Sequence, residues 1–431
     1  MTQATQSAPP ATAPPRSAAL PATTTIGQDR VADGRGIPEQ LSRIRLASVV
    51  VMLAFAALTA LQLILAGQAL QAAAKDTAQL VRVQNIKVHL LRADALASSA
   101  FLVGGLESPE QRARYDESLG EVSRGITEAA EAQPLDREVL TALNEVVVDY
   151  AEGMANARAT NRQGLPVGAG YLRASSDDIR DRGVVLVDAL VQANTERAAN
   201  SLGAHIPILM ALPALAALIA LGLMNQWIAR RFRRRVNTGL AGAALAVLVA
   251  GIAAFALSAT QAAANAGLRD NDYATAVNGA ETRSAANAAK TNESLRLIAR
   301  GSGQVHEDAW TEFSGQVDGA LGHSELSGAP TQAWADYVEG HHEIVRLDNG
   351  GDWDGAVRLA TDRTPGSPTG QFAEFDAGMQ ELINDAADVT STTLLSGRPG
   401  FVVVTVLTVL GGLAGAGLAW RGVSARLKEY A

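Results

Sequence analysis

The sequence predicts an all-α integral membrane protein with four transmembrane helices and two duplicated extracytoplasmic four-helix bundles. Three observations carry this. Four segments are apolar over the roughly 20 residues that a bilayer crossing takes. The long stretches between them show apolar residues at helical a/d spacing, as in coiled-coil packing. And the two halves of the chain repeat the same plan, with alanine and glycine plentiful and only 4% aromatic residues.

Residues 1–45 open with a Pro-, Ala-, Thr- and Ser-rich tract (SAPPATAPPRSAALPATTT), which reads as a disordered cytoplasmic tail. The first span is 46–67 (LASVVVMLAFAALTALQLILAG); it begins too late and is too long for a cleaved signal peptide, and reads as a signal anchor. A first outer domain, 68–205, follows. The second span is 206–224, an arginine-rich turn occupies 225–238, and the third span is 239–257. A second outer domain fills 258–399. The fourth span is 400–420 and a short tail ends the chain at 421–431. None of the spans holds a charged residue. Arg43 and Arg45, the run Arg230, Arg231, Arg233, Arg234 and Arg235, and Arg421, Arg426 and Lys428 flank them on one side. By the positive-inside rule both termini and the turn face the cytoplasm of a multi-pass plasma-membrane protein, where the arginines meet lipid headgroups. These segments carry +2, +5 and +2, so the formal net charge of −8 leaves −17 on the outer segments. An acidic exterior makes nucleic acid an unsuitable partner.

Each outer domain reads as four helices. In the first, Leu80, Val83, Leu90, Asp94, Ala97 and Phe101 form one stripe. Tyr115, Leu119, Val122 and Ile126 form a second, and Val139, Leu143, Val146, Tyr150 and Met154 a third. In the second domain Trp334, Tyr337 and His341, and Phe372, Phe375, Met379, Leu382 and Ala386, repeat the rhythm. Breaks are expected at Gly104-Gly105, Gln133-Pro134 and Gly164–Gly168, matched by Gly301–Gly303, Ala329-Pro330 and Asn349–Gly351. The second half adds a loop at Thr364–Gly370. Ser108-Pro109-Glu110-Gln111 reads as a capping box with proline at N1. The pentapeptide DYAEG at Asp149–Gly153 recurs as DYVEG at Asp336–Gly340, and QAAA recurs at Gln71 and Gln261. This marks an internal duplication, with Tyr150 and Tyr337 in the core and the four acidic residues mostly solvated.

No catalytic, cofactor-binding or metal-binding residues are expected. The chain has no cysteine, which removes thiol catalysis and zinc-thiolate sites. Asp149 with Glu152, and Asp336 with Glu339, read as solvated pairs rather than an acid–base couple. His341-His342-Glu343, with His306 on the preceding helix, lacks metal geometry because adjacent helical residues point about 100° apart. No phosphate loop or nucleophile elbow occurs. In the fourth span Gly411 and Gly415 make a GxxxG, flanked by Gly412 and Ala416, which suits close helix packing without a pore.

Two helical bundles continuous with membrane helices resemble the sensory domains of methyl-accepting chemoreceptors. Asp149–Ser175, and Asp336–Ala360 with its Gly351-Asp352-Trp353-Asp354-Gly355-Ala356 turn, are similar to the third-helix region of such domains. No HAMP unit or kinase domain follows the spans. The whole order of tail, span, helical domain, span, arginine turn, span, helical domain, span and basic tail resembles the GlnX-type membrane proteins of actinobacteria. The resemblance implies a non-enzymatic transducer that relays amino-acid availability from a solute-binding lipoprotein outside to a Ser/Thr protein kinase inside. The duplication implies an internal pseudo-dimer. The alternative is an envelope scaffold or an accessory subunit of a transport complex.

Overall fold

In the computed structural model the described residues are 37–103, 107–203, 207–232 and 236–427. The expected tail before residue 37, the Gly104-Gly105 break, Arg233–Arg235 and Lys428 lie outside them. Helices account for nearly everything described, and no strand occurs among these residues.

α1 (Ile37–Leu102) is a single helix of 66 residues, about 100 Å long at about 1.5 Å per residue. Its sequence changes from Leu/Val/Ala to mixed polar residues after Gly67 without a helix breaker, so one helix serves as span and as bundle stave. α2 (Pro109–Ala132) starts at the expected capping box: Gln111 N–H donates to Ser108 Oγ, and Ser108 N–H donates to Gln111 Oε1. α3 (Arg137–Arg162), α4 (Val167–Asp178) and α5 (Val185–Gly203) follow, the last two joined through a π-helical turn at Ile179–Val184. α6 (Ile208–Phe232) is the second span. α7 (Thr238–Asp270) and α8 (Asp272–Ile298) are separated by one residue, Asn271. α9 (Gln304–Leu321), α10 (Thr331–Asn349), α11 (Trp353–Thr361), α12 (Pro368–Ser396) and α13 (Arg398–Leu427) complete the chain.

Four helices are long and apolar enough to cross a membrane, within 39–102, 208–231, 238–298 and 368–427. They form a ring: α1 packs on α13 and α6, and α7 packs on the same two. Outward-facing Leu53, Leu61, Leu215, Leu248 and Leu407 are exposed apolar side chains that water would not tolerate in such density. On α13 the small-residue contact differs from the expected GxxxG. Nothing lies near Gly411, whereas Gly412 abuts Ala56 and Gly415 abuts Met52, both on α1. Gly412, Gly415, Ala416 and Ala419 are the buried small residues of α13, because the seam follows the i, i+3, i+4 row toward α1 and α7.

Beyond the ring, the apolar stripes face inward as expected: Leu80, Val83, Tyr115, Val122, Leu143, Tyr150 and Met154 are buried in the first half, and Trp334, Tyr337, Phe375 and Met379 in the second. The second half departs from four helices. Its final stave is split into α11 and α12 by Pro365, Gly366 and Pro368, with Gly366 at φ +86°; the corresponding stave of the first half absorbs its irregularity in the π turn. The repeated pentapeptide explains itself here. Tyr150 and Tyr337 are buried, and the closing glycines are where the next helix comes close: a Cβ at Gly153 would meet Ser175, and one at Gly340 would meet the ring of Pro368.

Gly340→Ala should therefore destabilise the protein by about 1–3 kcal/mol, since the proline ring cannot rotate away. Gly153→Ala should cost less, because the Ser175 hydroxyl can turn. Gly315→Ala, an open helical site, should stabilise by about 0.5–1 kcal/mol. Thermal unfolding in detergent or nanodiscs ranks the three.

Candidate functional site

α8 has an unusual surface. Every residue from Thr282 to Leu297 is buried, although Arg283, Lys290, Glu293 and Arg296 are among them. A helix that is polar all round is ordinarily solvated; this one is enclosed by α1, α9, α11 and α12. Buried charges must then find partners or lose their charge, and those of α8 do so along its length.

Nearest the spans, Arg283 donates to both carboxylate oxygens of Asp376, at 2.7 and 3.0 Å. Asn287 donates to the same carboxylate at 3.0 Å, and Arg92 reaches it from α1 at 3.6 Å. Burial opposes the Asp376 charge, but these cations and donors hold its pKa below the ordinary carboxylate value. Beside them, His89 is pushed down to about 4 by burial and by Arg283 and Arg92, so its imidazole is neutral. Two turns on, Lys290 bonds Glu293 at 2.5 Å, Thr369 Oγ1 at 2.7 Å and the Ala360 carbonyl at 3.4 Å. Glu293 also meets His341 Nδ1 at 2.9 Å, and His341 Nε2 lies 3.4 Å from Glu307. Arg296 closes the series on Glu307 and Asp348 at 3.4 and 3.2 Å. Trp310 stacks on His341 at 3.6 Å between ring centroids and donates its indole N–H to Tyr337 Oη at 3.2 Å.

Burial works against ionising Glu293, yet the Lys290 charge and the His341 hydrogen bond hold its pKa down to about 2. For His341 burial favours the neutral ring, but hydrogen bonds to Glu293 and Glu307 prevail and raise its pKa above 6.5. The first half has shorter equivalents. Asp94 on α1 accepts from Ser176, Arg180 and Tyr150, and Asp136 accepts from Gln79, Asn194 and Arg197.

A cleft of about 520 Å³ opens between the two halves, with α1 and α2 on one side and α8 and α12 on the other. Arg92, Arg114, Arg283, Lys290 and Arg363 line it against two carboxylates, Glu117 and Asp376. Leu96, Phe372, Ala373 and Ala377 supply an apolar wall.

Of the residues singled out in the sequence, Asp149, Glu152 and Glu339 are exposed and Asp336 is half-buried. His341 is enclosed between two carboxylates, His342 is exposed, and His306 Nδ1 lies 3.2 Å from Asn292 Oδ1. Among the described residues no group of three or more His, Asp or Glu is placed to hold a metal ion. The charged row on α8, Asp376 and Arg363 went unread. The available signal was compositional: from Arg283 to Glu293 the residues between the charges are only Ala, Ser, Thr and Asn (SAANAAKTNES), small side chains that admit neighbours on every side.

Two outcomes follow. Because the folded pKa of His341 is raised, its contribution is fully present below about 6.5 and is lost as pH rises through the folded value. The melting temperature should fall over that interval, and the component should vanish in His341→Gln. Glu293→Gln strands Lys290 without its counter-charge and should cost about 3–5 kcal/mol in unfolding experiments.

A family model described as an actinobacterial sensor domain matches residues 69–203, which covers the bundle portion of α1 through α5. Comparison with curated proteins and with solved structures gives no match. The matched region supports a sensor role in an actinobacterial membrane protein.

Proposed function

We propose that this chain is a non-enzymatic membrane sensor that relays extracytoplasmic amino-acid availability, received through a solute-binding lipoprotein, to a cytoplasmic Ser/Thr kinase. The observation that carries the relay is α1. One unbroken helix contains Arg45, which stacks on Trp420 at 4.1 Å, then the first span, then Asp94 and the contact with α8. α13 extends the same logic on the other side, since α12 and α13 are parted by Gly397 alone. Any displacement in the seam between α1, α8 and α12 is therefore delivered along rigid helices to the arginine-bearing end of the ring. Packed helices shift by about 1–2 Å between discrete arrangements, which suffices for a partner that reads the Arg45–Trp420 end.

The internal pseudo-dimer belongs to this reading. It is supported by the contacts of the ring: α1–α13 with α6–α7, and α1–α6 with α13–α7, are the pairs that a two-fold relation between the halves would exchange, with α1–α8 at its centre. In such a pseudo-dimer one chain would supply both halves of the sensor.

Hydrogen exchange on the full-length protein in nanodiscs tests the relay. Glutamate, aspartate or a candidate solute-binding lipoprotein should protect the bundles and alter exchange at both ends of α6 and α13. Protection of the bundles with an unchanged arginine end would instead support an envelope scaffold.

A further inference from the structure

The cleft between the halves holds more positive charge than the protein itself satisfies. Asp376 is fully engaged by Arg283, Asn287 and Arg92, and Lys290 by Glu293 and Thr369. Arg363, on the loop between α11 and α12, has no ion-pair partner among the described residues, and its half-buried guanidinium leaves Nε without a hydrogen bond there. Burial, then the nearby charges of Arg114 and Arg92, push its pKa down to about 10. Arg114 stands exposed at the mouth on α2, likewise without an ion pair among the described residues. Arginines that repel one another across a cleft keep their places at a cost unless an anion comes between them.

Size and lining narrow the anion. A volume of about 520 Å³ falls in the range of about 300–1,000 Å³ typical of organic ligands, well above the needs of a single inorganic ion. One wall is apolar, made by Leu96, Phe372 and Ala377, and suits a short hydrocarbon chain. Free cationic groups stand both inside, at Arg363, and at the mouth, at Arg114.

We infer that this cleft is a binding site for a small organic dianion with a carboxylate at each end, one engaged by Arg363 with Arg92 and the other by Arg114. The inference deepens the sensor reading and rests on it only for its consequence: the ligand bridges α1 and α2 to α8 and α12, the four staves whose seam leads to the spans. Occupancy would replace repulsion between Arg92, Arg114 and Arg363 by charge-assisted hydrogen bonds and draw the halves together.

The test is calorimetric titration of the full-length protein in nanodiscs with succinate, aspartate and inorganic phosphate, on wild type, Arg363→Gln and Arg114→Gln. Saturable binding of succinate or aspartate is expected, weakened at least about tenfold in Arg363→Gln and less in the exposed Arg114→Gln. Ligand-free Arg363→Gln should melt no lower than wild type, because an unpaired cation has been removed. Aspartate tighter than succinate would add Glu117 as the ammonium acceptor. Absence of dicarboxylate binding, binding of phosphate alone, or undiminished binding in Arg363→Gln would overturn the site. A lower melting temperature in Arg363→Gln with affinity intact would make the residue structural and also overturn it. Dicarboxylate binding with no change in hydrogen exchange at the arginine end would keep the site and sink the relay.

Discussion

Burial of the charged row on α8 is the constraint around which the two halves are arranged. A helix carrying Arg283, Lys290, Glu293 and Arg296 can lie in the middle of a protein only if each charge meets a partner in fixed geometry. The partners come from different helices: Asp376 from α12, Glu307 from α9, His341 and Asp348 from α10. Satisfying them sets the rotation and height of α8 against every neighbour. Apolar packing alone would not, because the alanines between the charges would slide at little cost. The close stacking of Trp310 on His341 and the bond from Trp310 to Tyr337 extend the same fixed frame to the core tyrosine of the repeated pentapeptide.

The ring of spans solves the opposite problem. It has no charges to pair and no water to drive helices together, so contact depends on close approach at Gly412, Gly415 and Ala416 on α13 against Met52 and Ala56 on α1. At the arginine end Asn237 caps α7, donates to the Gly422 carbonyl and accepts from Gly239 N–H, tying the α6–α7 connection to α13. A smooth small-residue interface permits sliding, while the charge-registered seam around α8 permits only discrete rearrangement. Continuous helices join the two parts.

Much of this was legible in the sequence. The spans followed from length and hydropathy, and the stripes through Tyr115, Val122, Leu143 and Phe375 followed from helical period because apolar residues seek the interior wherever they can. The capping box at Ser108 and the breaks at Gly301 and Gly351 were local chemistry. What escaped was everything that depends on the meeting of two distant segments. Lys290 and Glu293 have the spacing of an ordinary solvated pair, and only the arrival of α10, α11 and α12 makes them interior. Arg363 looks like a loop residue, and nothing near it in sequence shows that Arg92 and Arg114 face the same space. Gly411 fitted a motif that Gly412 and Gly415 in fact carry out, since the motif fixes spacing but not which face meets the neighbour.

The two halves are held together differently. The first is held by a broad apolar core that runs from Val83 through Tyr150 to Val187 and receives Leu295 from α8; its buried carboxylates, Asp94 and Asp136, are each fully engaged within the half. The second has a smaller apolar core around Trp334, Tyr337 and Phe375, a longer chain of buried charge, and a final stave cut in two by the loop that bears Arg363. Conformational responsiveness belongs where stability rests on polar contacts that an incoming charge can rearrange, and where a break in a helix supplies a hinge. On the proposed relay, the second half would be the moving part and the first the frame, with α1 common to both.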